Sequence, residues 1–307
     1  MKKIMKIIGI ILIVIILMAA LLFLYAAKKP AVPKNYETSV KTGGEIEGTY
    51  LAHGNFTVKY TEQGVMENYK KYEVYYPAKL ETENKKYPVI VVNNGTGVKG
   101  SKAKTMFEHF ASWGFIVIGN EEEYSWNGFS AEMSLKYLLR ENDNPDSIFY
   151  NRIDTGNIGA LGHSQGGVGA FNTVTDTKHK DMYKTVVAES PAHPDLAASL
   201  EWDYDVSDLH IPFLMVAGTE KSDAELVCTL EGMYKLFDSA EQAPFKVMAR
   251  RTGAEHGDML YSADGYVTAW FMWQLQGDEY AAGAFTGEEP EMMKNSLYQD
   301  QKAIERE

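Results

Sequence analysis

The chain opens on an unbroken apolar run. After Met1-Lys-Lys-Ile-Met-Lys6, residues 7–27 carry no charged side chain. A helix of about 20 apolar residues suffices to span a bilayer core of about 30 Å. A secretory signal peptide has the same charge order, but its apolar core is shorter and ends in a small-x-small cleavage site. Here the run closes on Leu24-Tyr-Ala-Ala-Lys-Lys29, a poor match to such a site, and no cysteine follows to accept a lipid. The pattern predicts an uncleaved signal anchor over residues 1–27, a transmembrane helix with Lys2, Lys3 and Lys6 inside the cell. Lys28 and Lys29 on the far side work against that orientation, and secretion after cleavage is the alternative. Pro30, Pro33, Gly43 and Gly44 then interrupt any period, so residues 28–48 read as a tether.

From about residue 49 the pattern changes to strands alternating with helices. Residues 55–60 and 69–76 alternate with period two and are rich in aromatic and β-branched side chains, which predicts two antiparallel edge strands. Tyr87-Pro-Val-Ile-Val-Val-Asn93 is nearly continuous in apolar residues, as a parallel strand buried on both faces must be. Further strands are predicted at 114–119, before Gly162, and at 185–188, 211–217 and 245–250. Helices fit at 102–113, 129–142, after Ser164, and at 224–239 and 264–276. That alternation predicts one α/β body over residues 49–307, a mostly parallel central sheet with helices on both faces.

Candidate chemistry gathers at the middle of this pattern. Gly162-His-Ser-Gln-Gly166 stands where an apolar strand gives way to a small-residue helix. G-x-S-x-G in that setting puts a serine on a tight, strained turn with its hydroxyl exposed. A serine alcohol needs a neighbouring base to become a nucleophile. Of the seven histidines, His256 lies in Gly253-Ala-Glu-His-Gly-Asp258, between a predicted strand and a helix, where a loop can present it over Ser164. His163 adjoins the serine on a sharp turn and points elsewhere, as a packing residue. His53, His109, His179, His193 and His210 read as surface, helix or loop positions. The acid that orients the histidine belongs after the strand ending at Gly218, where Thr219-Glu-Lys-Ser-Asp223 offers Asp223 first and Glu220 as the alternative. Asp223 could equally cap the helix that follows. An oxyanion needs two backbone donors. Gln165 supplies one. The other comes from Asn93-Asn-Gly-Thr-Gly97, with Thr96 preferred to Gly97. The chain order serine, acid, histidine is that of the α/β-hydrolase arrangement.

Composition narrows the classes. The formal charge of the 307 residues is -12, which argues against a nucleic-acid partner. Five of the 30 basic residues, and none of the 42 acidic ones, fall in the first 29 positions, so the remainder stands at -17. A body so acidic is repelled by an anionic membrane surface, leaving the N-terminal helix as the membrane contact. Cys228 is the single cysteine, which rules out an intrachain disulfide and a multi-cysteine metal site. It reads as a small buried apolar residue. No phosphate-binding loop pattern opens a helix, and neither a cofactor nor a metal is predicted. Two segments are candidates to line the cleft, although three consecutive acids are usually a solvated loop. One is residues 192–210, a short cap carrying Trp202 and Tyr204. The other is the acidic loop Glu121-Glu-Glu-Tyr-Ser-Trp126.

Residues 49–286 resemble serine esterases of the α/β-hydrolase superfamily. The likeness is to the cutinase-like, polyester-hydrolase, chlorophyllase-like and dienelactone-hydrolase-like group. It is carried by Tyr87-Pro-Val-Ile-Val-Val-Asn-Asn-Gly95, Gly162-His-Ser-Gln-Gly-Gly167, Ile211-Pro-Phe-Leu-Met-Val-Ala-Gly218, His256 and the final helix running into Gly277-Asp278. The resemblance implies Ser164 as nucleophile, His256 as base, and Thr96 and Gln165 as oxyanion donors. Asn94 stands where that group usually has Pro or His, and the group's paired cysteines are missing. The resulting expectation is a membrane-anchored, extracytoplasmic serine hydrolase cleaving small or polymeric carboxylic esters through an acyl-enzyme. A peptidase or acyltransferase using the same triad is the rival within enzymes. A catalytically silent binding protein at the cell surface is the rival outside them.

Overall fold

The computed structural model describes residues 29–306. The expected signal anchor, residues 1–27, lies outside them. Among the described residues no helix is long and apolar enough to cross a membrane.

The strands are β1 (Val58–Gly64), β2 (Lys71–Pro77), β3 (Tyr87–Asn93), β4 (Ile116–Asn120), β5 (Ile153–His163), β6 (Tyr183–Glu189), β7 (Phe213–Gly218), β8 (Phe245–Arg251) and β9 (Tyr298–Glu305). They form one sheet in the order β1-β2-β4-β3-β5-β6-β7-β8-β9. The strands from β4 to β8 in that order are mutually parallel, and antiparallel strands close both ends. The period of two sorts the side chains. Ile90 and Val92 enter one core, and Val89 and Val91 enter the other. The helices are α1 (Glu45–Leu51), α2 (Lys104–Ser112), α3 (Phe129–Asp143), α4 (Gln165–Thr175), α5 (Pro194–Ser199), α6 (Leu230–Ser239) and α7 (Asp264–Gln276). The first core lies under α1, α2 and α7, the second under α3, α4 and α6. The strands fall close to the apolar runs that predict them, and the mostly parallel α/β architecture follows.

Three features depart from the sequence reading. The expected tether, residues 28–48, is packed against the body from Ala31 onward. Val32 and Tyr36 are fully buried. Tyr36 donates its hydroxyl to the Asp264 carboxylate, and the Ala31 amide donates to the Lys102 carbonyl at 2.9 Å. Glu47 on α1 is buried with Arg251 at 2.9 Å and also accepts from Tyr298 at 2.9 Å and Asn295 at 2.7 Å. Removing either partner of such a buried pair leaves the other charge uncompensated, at a cost of about 3–5 kcal/mol. Isolated anchors separated by prolines leave no periodic signal, which is why the segment reads as linker.

The second departure is β9, whose alternation is masked by Gln299, Asp300, Gln301 and Lys302. It closes the sheet as an antiparallel partner of β8. The third is the helix expected over 224–239. It divides into a short π-helical turn, Asp223–Val227, and α6. The Thr229 side chain caps α6 by accepting from the Gly232 amide.

Candidate active site

Ser164, Asp223 and His256 follow the C-terminal ends of the parallel strands β5, β7 and β8. β5 ends at His163 and α4 begins at Gln165, leaving Ser164 alone on the corner with φ 60 and ψ -124. A non-glycine residue in that region is strained and is held there by its surroundings. The flanking glycines are sterically required. A Cβ on Gly162 would fall 1.8 Å from the Gly166 carbonyl oxygen, and one on Gly166 would fall 2.2 Å from that of Asn93. The Ser164 amide donates to the Glu189 carbonyl at 2.8 Å, which ties the corner to β6.

His256 begins a single 3-10 turn, His256–Leu260, after β8. Its Nε2 lies 2.9 Å from Ser164 Oγ, and its Nδ1 lies 2.6 Å from Asp223 Oδ1. With Nδ1–H donating to the carboxylate, Nε2 is left to accept the serine proton. Neighbouring His163 steadies the ring from beneath. Its Nε2–H donates to the His256 carbonyl at 2.7 Å, and the two rings are 4.6 Å apart. Burial, then the nearness of His256, pushes His163 down to about 3. It is therefore a neutral anchor for the loop as well as the packing residue its position suggests.

Asp223 is fully buried at the start of the π-helical turn. Its second oxygen accepts from Ser190 Oγ at 2.6 Å and from the Gly218 amide at 2.7 Å. Burial pushes this carboxyl up, but His256, Ser190 and Gly218 together hold it below the ordinary aspartate value. Glu220 is exposed and touches this network through its backbone carbonyl, which accepts from the Asp223 amide at 3.1 Å. Of the two candidate acids, the structure brings Asp223 to the histidine and leaves Glu220 outside. Ser190, directly after β6, was not singled out by the sequence reading. Its signal is a polar residue at the end of the strand adjacent to the serine's own strand.

The loop from Asn93 to Gly97 lies beside Ser164. Asn94 Nδ2 donates to the Asn120 carbonyl at 2.7 Å and the Glu122 carbonyl at 2.9 Å, and Ser125 Oγ donates back to the Asn94 carbonyl at 2.5 Å. Among the described residues the Thr96 and Gln165 amides donate to no protein acceptor, whereas the Gly97 amide donates to the Glu123 carbonyl at 3.5 Å. Thr96 is on the wall of the cavity that holds Ser164, and Gln165 follows the serine in the chain, the two positions from which N–H donors to an anionic oxygen are needed.

A cavity of about 520 Å³ opens over Ser164 and His256. Its walls are Lys29, Pro30, Ala31 and Pro33, then Thr96 and Val98, then Leu260 and Tyr261. Neither segment expected to line it does so. Tyr204 stacks on Phe171 and donates to the Ala192 carbonyl at 2.8 Å, while Trp202 packs near Val168 and Ala197. The segment after Pro191 is thus drawn down onto α4. The loop Glu121 to Trp126 is occupied in bracing Asn94. The N-terminal wall has no signature in the sequence, because its composition is that of a linker.

Residues 41–300 match the PETase family, described as PET hydrolase-like. The chain belongs to that family. Its members are hydrolases of the α/β-hydrolase type acting on esters, in keeping with the sheet and with the site at its strand ends. No curated protein matches the chain. The family match includes Ser164, Asp223 and His256 but begins after the strap that walls the cavity. Among the described residues no group of three or more His, Cys, Asp or Glu is placed to hold a metal ion. Cys228 is buried, and burial pushes its thiol up, which suits a packing role rather than a nucleophilic one.

Proposed function

We propose that this PET hydrolase-like protein cleaves carboxylic esters through an acyl-enzyme on Ser164. The observation that carries the reading is the continuous hydrogen-bonded line from Ser164 through His256 to buried Asp223, at 2.9 and 2.6 Å. His256 Nε2 takes the hydroxyl proton as Ser164 Oγ attacks the ester carbonyl. Asp223 holds the ring in the tautomer this requires and stabilises the imidazolium that forms. The carbonyl oxygen becomes an oxyanion received by the Thr96 and Gln165 amides, each such donor being worth about 10²–10³ in rate. His256 returns the proton to the leaving alcohol as the C–O bond breaks. Water, deprotonated by His256, then attacks the acyl-Ser164 ester, and the acid is released with Ser164 restored.

Hydrolysis of 4-nitrophenyl esters by the wild type, Ser164→Ala and His256→Ala proteins tests this reading. The wild type turns over, and each variant loses at least about 10³-fold in kcat/KM. Equal rates in wild type and Ser164→Ala would remove Ser164 from the mechanism. We also propose that residues 7–27 anchor the protein in the cell membrane with the hydrolase body outside, supported by the length and charge order of that run. Full-length protein then stays with membranes through alkaline extraction and is cut by protease added to intact cells. Release into the alkaline supernatant would contradict the anchor.

A further inference from the structure

We infer that residues 29–33 form a specificity-determining wall of the ester site, against which an apolar acyl or aryl arm of the substrate packs. The inference rests on the ester-hydrolase reading and adds the class of group the site accepts. Pro30, Ala31 and Pro33 share the cavity of about 520 Å³ with Ser164 and His256, and Val98, Leu260 and Tyr261 form the rest of its apolar lining. That volume suits a substrate arm the size of an aromatic ring or a medium acyl chain.

The wall is fixed rather than draped. Ala31 and Val32 both direct their amides to the Lys102 carbonyl, at 2.9 and 3.4 Å. Val32 is sealed into the core beneath, and Tyr36 is buried three residues beyond Pro33 with its hydroxyl on Asp264. Two prolines in five residues restrict the backbone, so little conformational entropy is lost when substrate arrives. Lys102 closes the same β3–α2 connection that carries Thr96 and Val98. The strap and the oxyanion loop are therefore joined, and a change in the strap's cavity face reaches the reacting ester directly. A strap that merely covered the core would affect stability and leave substrate choice alone.

Full-length Ala31→Phe, which adds a ring to the cavity face, separates the two. The readout is the ratio of kcat/KM for 4-nitrophenyl benzoate to that for 4-nitrophenyl acetate. We expect the ratio to fall about tenfold or more, the scale on which filling an apolar pocket discriminates. Ala31→Leu is the smaller step if the phenyl variant does not fold, with a fall of about threefold. Exposed Thr38→Ala, on the same segment but away from the cavity, leaves the ratio within about twofold. An unchanged ratio in folded Ala31 variants that still turn over acetate overturns the inference, even if their Tm drops. Failure of the wild type to turn over either ester is a different outcome, which removes the esterase reading itself.

Discussion

Two carboxylates lie near Ser164, both without solvent exposure, and they differ in everything else. Asp223 meets His256, the Ser190 hydroxyl and the Gly218 amide. Glu189, at the end of β6, has no hydrogen-bond partner for either carboxylate oxygen among the described residues. Burial, reinforced by Asp264, holds Glu189 well above the ordinary glutamate value, whereas the donors around Asp223 overcome the same burial and hold it below the aspartate value. Burial does not decide the charge of an acid in this fold; the donors pointed at it do. The charged acid faces the histidine. The protonated one sits behind the serine's strand, where its backbone carbonyl is what the corner uses.

Removing the charge at Asp223 should break this contrast most severely. Asp223→Asn keeps the shape but favours the wrong histidine tautomer, and a loss of about 10⁴ in kcat is expected. Glu220→Gln, on an exposed side chain, stays within about twofold of wild type. A steady-state assay of both variants on one ester checks the pair, and a larger loss at Glu220 would reverse the assignment.

Ser190→Ala sharpens the comparison by withdrawing one donor. A hydrogen bond to a charged group is worth about 1.5–3 kcal/mol, and a drop of about tenfold in kcat/KM is expected. Asp223 then ionises at higher pH. The stability effect has the same sign. A carboxyl depressed in the folded state stabilises above its unfolded value, and that contribution is lost as pH falls through the folded value. Acid unfolding of Ser190→Ala therefore begins at higher pH than in the wild type.

Glu189→Gln probes the opposite case. The folded protein holds a proton there that the unfolded chain gives up, so wild-type stability falls as pH rises from the unfolded glutamate value toward the raised folded one. The amide has no proton to lose. Denaturant titrations should show the variant gaining on wild type as pH rises through that window, by up to about 1.4 kcal/mol per pH unit. Equal pH slopes would show that Glu189 is ionised in the fold.

His163→Gln should have a mild effect, about threefold on kcat, because the amide can still donate to the His256 carbonyl. A histidine lowered to about 3 in the fold binds its proton only on unfolding, so stability is complete above the ordinary histidine value and falls as pH drops from there toward about 3. The variant's acid-side slope is shallower by one proton. His109, also lowered to about 3 by burial, keeps its own share of that slope.

The parts that could be read from sequence are those where one pattern admits one structure. β3 is a run of seven with no charge, and Gly162 and Gly166 stand where any side chain would collide with backbone. His256 is recognisable by its place between a strand and a helix. Asp223 and Glu220 look alike in sequence because what separates them is direction, set by a π-helical turn that no periodicity announces. The strap was illegible for a related reason. Its prolines and lysines match a linker, and the burial of Val32 and Tyr36 depends on surfaces contributed by Lys102 and Asp264, far away in the chain. The polar face of β9 hides that strand in the same way.

The central claim is that Ser164 is an activated nucleophile. Full-length protein exposed to a fluorophosphonate, then digested and mapped by mass spectrometry, tests it most directly. One adduct per chain is expected, on the peptide containing Gly162-His-Ser-Gln-Gly166, strongly slowed in His256→Ala and absent in Ser164→Ala. No adduct on the wild type, or an adduct elsewhere with Ser164 untouched, would contradict it.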